Sequence, residues 1–356
     1  MKISPSALIT SALIVGSITT AHAAEYSVTN LGILDGGSYS YAVDINDFGQ
    51  VVGTSNSSEG NRGFIWDSVN GMVSLGTLNN GNVSYAEAIN NAGQVSGSAY
   101  YNGNNQAAFI WDSTNGMQPL QAYGETTMTR GDDINEAGSI VGTNSDGYGN
   151  FTAAVYESGT VNELGVPADS FSNAINDNGD IVVSANNDSE FYIVSGTSTT
   201  QIASSEVYIV NEINNAGSII GKGTNDKAFI WDASNGYTTL GSLNNGYISE
   251  AFDLNEKGQV VGGSVDFSGS TAFIWDSVNG MQDLNLMIDD SNWTLEYAYG
   301  INESGDIVGI GSYLGTTTAF MLTSVSAVPE PSTYALMLGG LGLVGWMARR
   351  REKSQA

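Results

Sequence analysis

An Ile or Leu followed by Asn-x-x-Gly recurs seven times along the chain, each time between runs in which apolar and polar positions alternate. The asparagines fall at Asn46, Asn90, Asn135, Asn176, Asn214, Asn255 and Asn302, spaced 44, 45, 41, 38, 41 and 47 residues apart. Alternation with a period of two marks half-buried strands. In the second unit Tyr85-Ala86-Glu87-Ala88-Ile89 leads into Asn90-Asn91-Ala92-Gly93, and Gln94-Val95-Ser96-Gly97 leads away. The Asn side chain can cap a type I turn, and Gly93 can adopt the left-handed conformation that closes a hairpin with a bulge. A third run, Ala-Phe-Ile-Trp-Asp in its fullest form, has the β-branched and aromatic residues of a packed strand. An Asn-Gly hairpin signal follows it at Asn70-Gly71, Asn115-Gly116, Asn235-Gly236 and Asn279-Gly280. A short run such as Leu75-Gly76-Thr77-Leu78 completes the unit as a fourth strand. No sustained 3.6-residue periodicity interrupts the chain between Glu25 and Ala327, so almost no helix is expected there.

Seven consecutive four-stranded units of this length predict an all-β, seven-bladed β-propeller. The ends of the repeat supply a check. The seventh unit stops at Ala319-Phe320-Met321-Leu322 without a Leu-Gly-x-Leu run, whereas an orphan copy, Tyr26 to Leu34 with Leu31-Gly32-Ile33-Leu34 at its end, precedes the first unit. The N-terminal strand should therefore complete the last blade and close the ring, removing exposed strand edges. An open β-solenoid leaves that strand without a role.

Phe64-Ile65-Trp66, Ala108-Phe109-Ile110-Trp111, Ala228-Phe229-Ile230-Trp231 and Ala272-Phe273-Ile274-Trp275, joined to the Ile-Asn-x-x-Gly elements, resemble the HAF family of bacterial extracellular repeats. The fourth unit, Phe191-Tyr192-Ile193-Val194, is degenerate. The histidine that names the family is replaced by Arg62, Ala107, Lys227, Thr271 and Thr318, so no metal role carries over from it. The resemblance implies an extracellular location and no particular activity.

Both termini read as addresses. Lys2, the apolar stretch around Ala7 to Val15, and Ala21-His22-Ala23 form the three parts of a secretory signal peptide over residues 1–23, with cleavage expected after Ala23. The propeller then occupies residues 24–327, and a tail occupies residues 328–356. That tail runs Pro329-Glu330-Pro331, an uninterrupted apolar segment from Tyr334 to Ala348, and Arg349-Arg350-Arg351. Fifteen helical residues would span roughly 22 Å against a hydrocarbon core of about 30 Å, so the segment reads as a short transmembrane helix that inserts transiently. The arginines would hold its end in the cytoplasm. The order closely resembles the PEP-CTERM sorting signal, which implies cleavage at Pro329-Glu330-Pro331 by an exosortase-type enzyme. It further implies export through the inner membrane to the cell surface or extracellular matrix.

Composition narrows the chemistry further. His22 is the only histidine and there is no cysteine. A Ser-His-Asp triad, a cysteine nucleophile, imidazole or thiolate metal sites and disulfides are excluded from the body. The formal net charge is −27, and five of the ten basic residues lie in the terminal segments, so the body is more acidic still. Nucleic acid and anionic lipid are repelled partners.

Candidate chemistry must come from Asp, Glu, Tyr and Asn. Hard oxygen donors in tight turns, centred on Asp146, Asp177 and Asp180, are candidate calcium ligands, although turn chemistry alone accounts for them. Asp132-Asp133 and Asp289-Asp290 are paired carboxylates, but neighbours on a strand should face opposite sides and so cannot share a catalytic site. Trp66, Trp111, Trp231 and Trp275 read as packing between blades, while Trp293, Tyr100, Tyr101 and Tyr148 lie outside the repeated core positions and are the candidate sugar platforms if the protein stacks on sugar rings. The expected function is a secreted, non-enzymatic surface or matrix protein associated with extracellular polysaccharide. The alternative is a polysaccharide-active enzyme, a glycoside hydrolase or lyase, using Asp/Glu or Tyr. Two carboxylates that converge beside an aromatic at the central channel would distinguish the classes.

Overall fold

Seven antiparallel sheets of four strands are arranged in chain order, and six of them take their strands consecutively. In the computed structural model residues 25–325 are described, except 80, 103–104, 122–126, 146–148, 187–188 and 203–204. The first blade comprises Ser40–Ile45, Val51–Ser57, Gly60–Asp67 and Gly71–Ser74, and its hairpins follow the two predicted turns. All seven Asn-x-x-Gly glycines have positive φ, from 72° at Gly93 to 84° at Gly305, as the hairpin geometry requires. The described residues contain only two short 3-10 turns, Leu243–Asn245 and Leu284–Met287.

The seventh sheet closes the ring. Tyr26–Gly32 pairs antiparallel with Thr316–Ser324, in the register Val28 to Leu322. A buried serine shows that this strand substitutes for an ordinary fourth strand. In the second blade Ser84 donates to the Gly76 carbonyl of the first blade and accepts from the Gly63 N–H. Ser40 does the same with Gly32 of the N-terminal strand and Ala319 of the seventh blade.

The fourth strand lies earlier than the alternation suggested. In the first unit it is Gly71–Ser74, and Leu75 to Leu78 instead forms the passage to the next blade, with Leu75 and Leu78 buried between blades. Pairing with Phe64 to Asp67 fixes this position.

Five of the seven blades pack a phenylalanine against a glycine of the neighbouring strand, and in the third the glycine, Gly142, pairs with Ala154. Phe64, Phe109, Phe229, Phe273 and Phe320 are fully buried and pair with Gly53, Gly97, Gly221, Gly262 and Gly309. A Cβ on Gly262 would sit 2.1 Å from the Glu250 carbonyl and 2.6 Å from the Phe273 ring. In the degenerate fourth blade both partners change: Val183 pairs with Tyr192, and the buried aromatic moves one position to Phe191. One step along a strand reverses the face, so Phe191 packs toward the fifth blade with Val210, Ile213 and Phe229. The four repeated tryptophans are half-buried against the inter-blade cores, as expected.

The signal peptide with Ala23, the Pro329-Glu330-Pro331 motif, the 334–348 segment, Asp146 and Tyr148 lie outside the described residues. Among the described residues no helix is long and apolar enough to cross a membrane.

Candidate functional site

The repeated asparagines form a ring around the propeller axis. Asn46 Nδ2 donates to the Asn90 carbonyl at 3.1 Å, Asn90 to Asn135 at 3.1 Å, and so on to Asn302, which donates back to Asn46 at 3.1 Å. Each Oδ1 meanwhile accepts N–H bonds within its own turn, as Asn46 does from Phe48 and Gln50. The following residues form a second closed ring. Asp47 N–H donates to Asn91 Oδ1 at 2.8 Å, Asn91 N–H to Glu136, and the series returns through Glu303 N–H to Asp47 at 3.0 Å. Five of those seven side chains are carboxylates, so this rim is acidic.

Below the rim, the innermost strands carry β-bulges just before the Ile-Asn element, for example between Ala42 and Asp44 and between Gly131 and Asp133. A bulge leaves an N–H without a ladder partner and turns two successive side chains toward one side. Three aspartates use this. Asp44 accepts from Ile45 of its own blade and, at 2.7 Å, from Ile89 of the next. Asp133 bridges Ile134 and Ile175, and Asp253 bridges Leu254 and Ile301. The residue at the equivalent position of the next blade is small in each case: Ala88, Ala174 or Gly300.

These side chains line an axial cavity of about 310 Å³ together with Glu87, Asp132, Glu212, Phe252 and Tyr299. The expectation that Asp132 and Asp133 face opposite sides is therefore corrected: the bulge places both on the channel wall. Asp289 and Asp290 lie elsewhere, beside Tyr26 to Val28. A second cavity of about 450 Å³ adjoins the first. Glu87 and Asp132 line both, and the second adds Arg130, Phe171, Phe191, Asn173 and Asn211. Two aromatic rings line the same channel, Phe252 and Tyr299, 4.9 Å apart between ring centres, and Tyr297 stacks on Tyr299 at 5.9 Å.

Burial governs the ionisation of this channel. It raises Asp44 and Asp132 to about 6, and Glu87 and Asp133 to about 7. Glu212 and Asp253 are pushed well above the ordinary carboxylate range by burial first and by neighbouring carboxylates second. Arg130 partly offsets burial at Asp132, which it meets at 2.8 Å. The repeated aspartates after tryptophan behave oppositely. Asp67, Asp112, Asp232 and Asp276 each accept bonds from a following Asn side chain and two backbone N–H groups, which hold their carboxyls low.

The other sequence candidates contribute less. Asp177 belongs to the outer ring, accepting from Glu136 N–H and Asn215 Nδ2. Asp180 accepts from Asn176 Nδ2 and the Ser195 hydroxyl. Among the described residues no group of three or more acidic side chains is placed to hold a metal ion. Trp293 and Tyr101 are core residues rather than sugar platforms, Trp293 packing on Tyr313 and Phe320. Tyr100 is half-buried. The exposed aromatic pair is Tyr247 and Phe267, 5.6 Å apart. Sequence reasoning missed Glu87 as a partner of Asp132. Aligning the units on their asparagines shows the signal: three positions before it stand Val43, Glu87, Asp132, Asn173, Asn211, Phe252 and Tyr299, a non-repeating column in a repeat protein.

Residues 327–351 match the PEP-CTERM protein-sorting motif. The motif implies an exported protein, sorted to the cell surface and processed by an exosortase. No curated protein matches the chain. Among solved structures it is similar to YCF48 bound to D1 peptide, at 12% identity over 86% of this chain and 97% of that one, with a TM-score of 0.53. It is also similar to the Pyrococcus horikoshii acylaminoacyl peptidase, at 11% identity, 77% coverage of this chain, 49% of that one and a TM-score of 0.52. A third similar structure is TolB from Acinetobacter baumannii, at 13% identity, 78% and 64% coverage and a TM-score of 0.46. The chain thus spans nearly all of YCF48, but under two thirds of TolB and about half of the peptidase. At these identities the first two likenesses support the propeller fold alone.

Proposed function

We propose that this is a non-enzymatic HAF-type surface or matrix protein that associates with extracellular polysaccharide through its axial channel. The observation that carries the compartment is the sorting motif at residues 327–351. In this reading residues 1–23 direct export, the 334–348 segment enters the inner membrane transiently, and cleavage near Pro329-Glu330-Pro331 releases the propeller. The channel supports the ligand class, since two adjoining cavities bring together carboxylates, the amides of Asn173 and Asn211, and the aromatic residues Phe252, Tyr299 and Phe171. Sugar sites combine such apolar faces with a few convergent polar groups. A glycan-array screen of the exported protein tests this. Binding that weakens in Tyr299→Ala supports the reading, and an array without any bound glycan contradicts it.

One observation favours a second reading, the polysaccharide-active enzyme. Glu87 and Asp132 converge in the channel near Phe171, with carboxyls raised into the range where one could act as a general acid. Release of new reducing ends from a bound glycan, abolished by Glu87→Gln and by Asp132→Asn, would establish that reading in place of the first. Calcium at Asp177 or Asp180 forms no part of either, because hydrogen bonds already engage both carboxylates.

A further inference from the structure

Glu87 differs from every other carboxylate in the channel. Asp44, Asp133 and Asp253 each use both oxygens on backbone N–H groups, Glu212 accepts from Ile213, and Asp132 pairs with Arg130. Glu87 has no hydrogen-bond partner among the described residues, and it is half-buried, with part of its surface open to the channel. It stands where the two cavities meet, so both give access to its carboxyl. A half-buried carboxylate without a partner is costly to ionise, and a cation bound from the channel would satisfy it.

The surroundings decide which cation fits. A calcium ion takes six to eight oxygen ligands, and the channel aspartates have committed theirs to the backbone. The same channel instead offers two aromatic rings, Phe252 and Tyr299. Aromatic faces attract organic cations. The two adjoining cavities, about 310 and 450 Å³, hold far more than a bare ion. The acidic rim would draw positive charge toward the opening and repel uronate or sulfated polymers.

We propose that the channel binds amino sugars bearing free ammonium groups, as in a de-N-acetylated matrix polysaccharide, with the ammonium seated at Glu87 and the sugar against Phe252 and Tyr299. This names the glycan class and rests on the polysaccharide-binding reading above. It assigns Glu87 as the residue that selects positive charge.

Isothermal titration of the exported protein in physiological salt tests the assignment, using four tetrasaccharide or amine probes: glucosamine tetramer, N-acetylglucosamine tetramer, cellotetraose and spermidine. The expected result is binding of the glucosamine tetramer alone, weakened at least tenfold in Glu87→Gln with the fold of that variant confirmed by an unreduced melting temperature. Equal binding of the N-acetylated or neutral tetramer would overturn the ammonium assignment while leaving the glycan reading intact. Spermidine binding as tight as glucosamine binding would overturn the sugar class. Unchanged affinity in Glu87→Gln would assign the attraction to the acidic surface at large and overturn the site. Failure of the glucosamine tetramer to bind would overturn the amino-sugar assignment, and an empty glycan array as well would remove the polysaccharide reading itself.

Discussion

Replacing Glu87 with glutamine should stabilise the protein at alkaline pH and leave it nearly unchanged in mild acid. Burial lifts this carboxyl from 4.5 to about 7, helped by the Asp132 charge and opposed by Arg130. A carboxyl raised in the folded state holds its proton more tightly there than in the unfolded chain, so stability falls as pH rises from about 4.5 through about 7. At about 1.36 kcal/mol per unit, ionised Glu87 costs up to roughly 3 kcal/mol at pH 8. Its partial access to the channel reduces that, and a gain of about 1.5–3 kcal/mol is expected for Glu87→Gln at pH 8. At about pH 4.5 the gain should shrink below roughly 0.5 kcal/mol, because folded Glu87 is already protonated. Glutamine sacrifices no hydrogen bond that glutamate makes. Scanning calorimetry in low-salt buffer should therefore show a melting temperature raised by about 2–5 °C at pH 8. A lowered melting temperature at pH 8, or an equal shift at both pH values, would refute the burial argument.

Asn46→Asp should destabilise by about 2–4 kcal/mol in chemical denaturation despite its near-identical shape, because it replaces the donor to the Asn90 carbonyl and Gln50 side chain with an anion. No loss in that variant would mean that the asparagine ring contributes little. Gly262→Ala should cost about 2 kcal/mol or more by the same measurement, since its Cβ would meet the Glu250 carbonyl at 2.1 Å. Deleting residues 25–34 should lower the melting temperature sharply and promote aggregation, because it uncovers the edge Thr316–Ser324. An unchanged melting temperature there would contradict ring closure.

The blades were legible because their turns are local chemistry. Asn-x-x-Gly and Asn-Gly fix hairpins within a few residues, and the orphan Leu31-Gly32 revealed closure by its likeness to Leu75-Gly76. Strand position was less legible. Gly71–Ser74 is chosen by pairing with Phe64 to Asp67, and the more apolar Leu75 to Leu78 is needed in the passage between blades. The asparagine was recognised as a turn cap, but its bond to the next blade emerges only when Asn302 meets Asn46 across 256 residues. The channel was hidden for two reasons. Alternation cannot show a bulge, so Asp132 and Asp133 were assigned to opposite faces. Glu87 and Asp132 also come from different blades, in a column whose residues do not recur.

The most direct test of the whole account is the intact mass of the protein recovered from the surface or matrix of a host that carries an exosortase. The expected chain begins near Ala24, ends near Pro329-Glu330-Pro331, and lacks both the 334–348 segment and Arg349 to Arg351. Changing Pro329, Glu330 and Pro331 to alanine should leave an uncut, membrane-bound form. Extracellular protein that retains its residues through Ala356 would contradict the account.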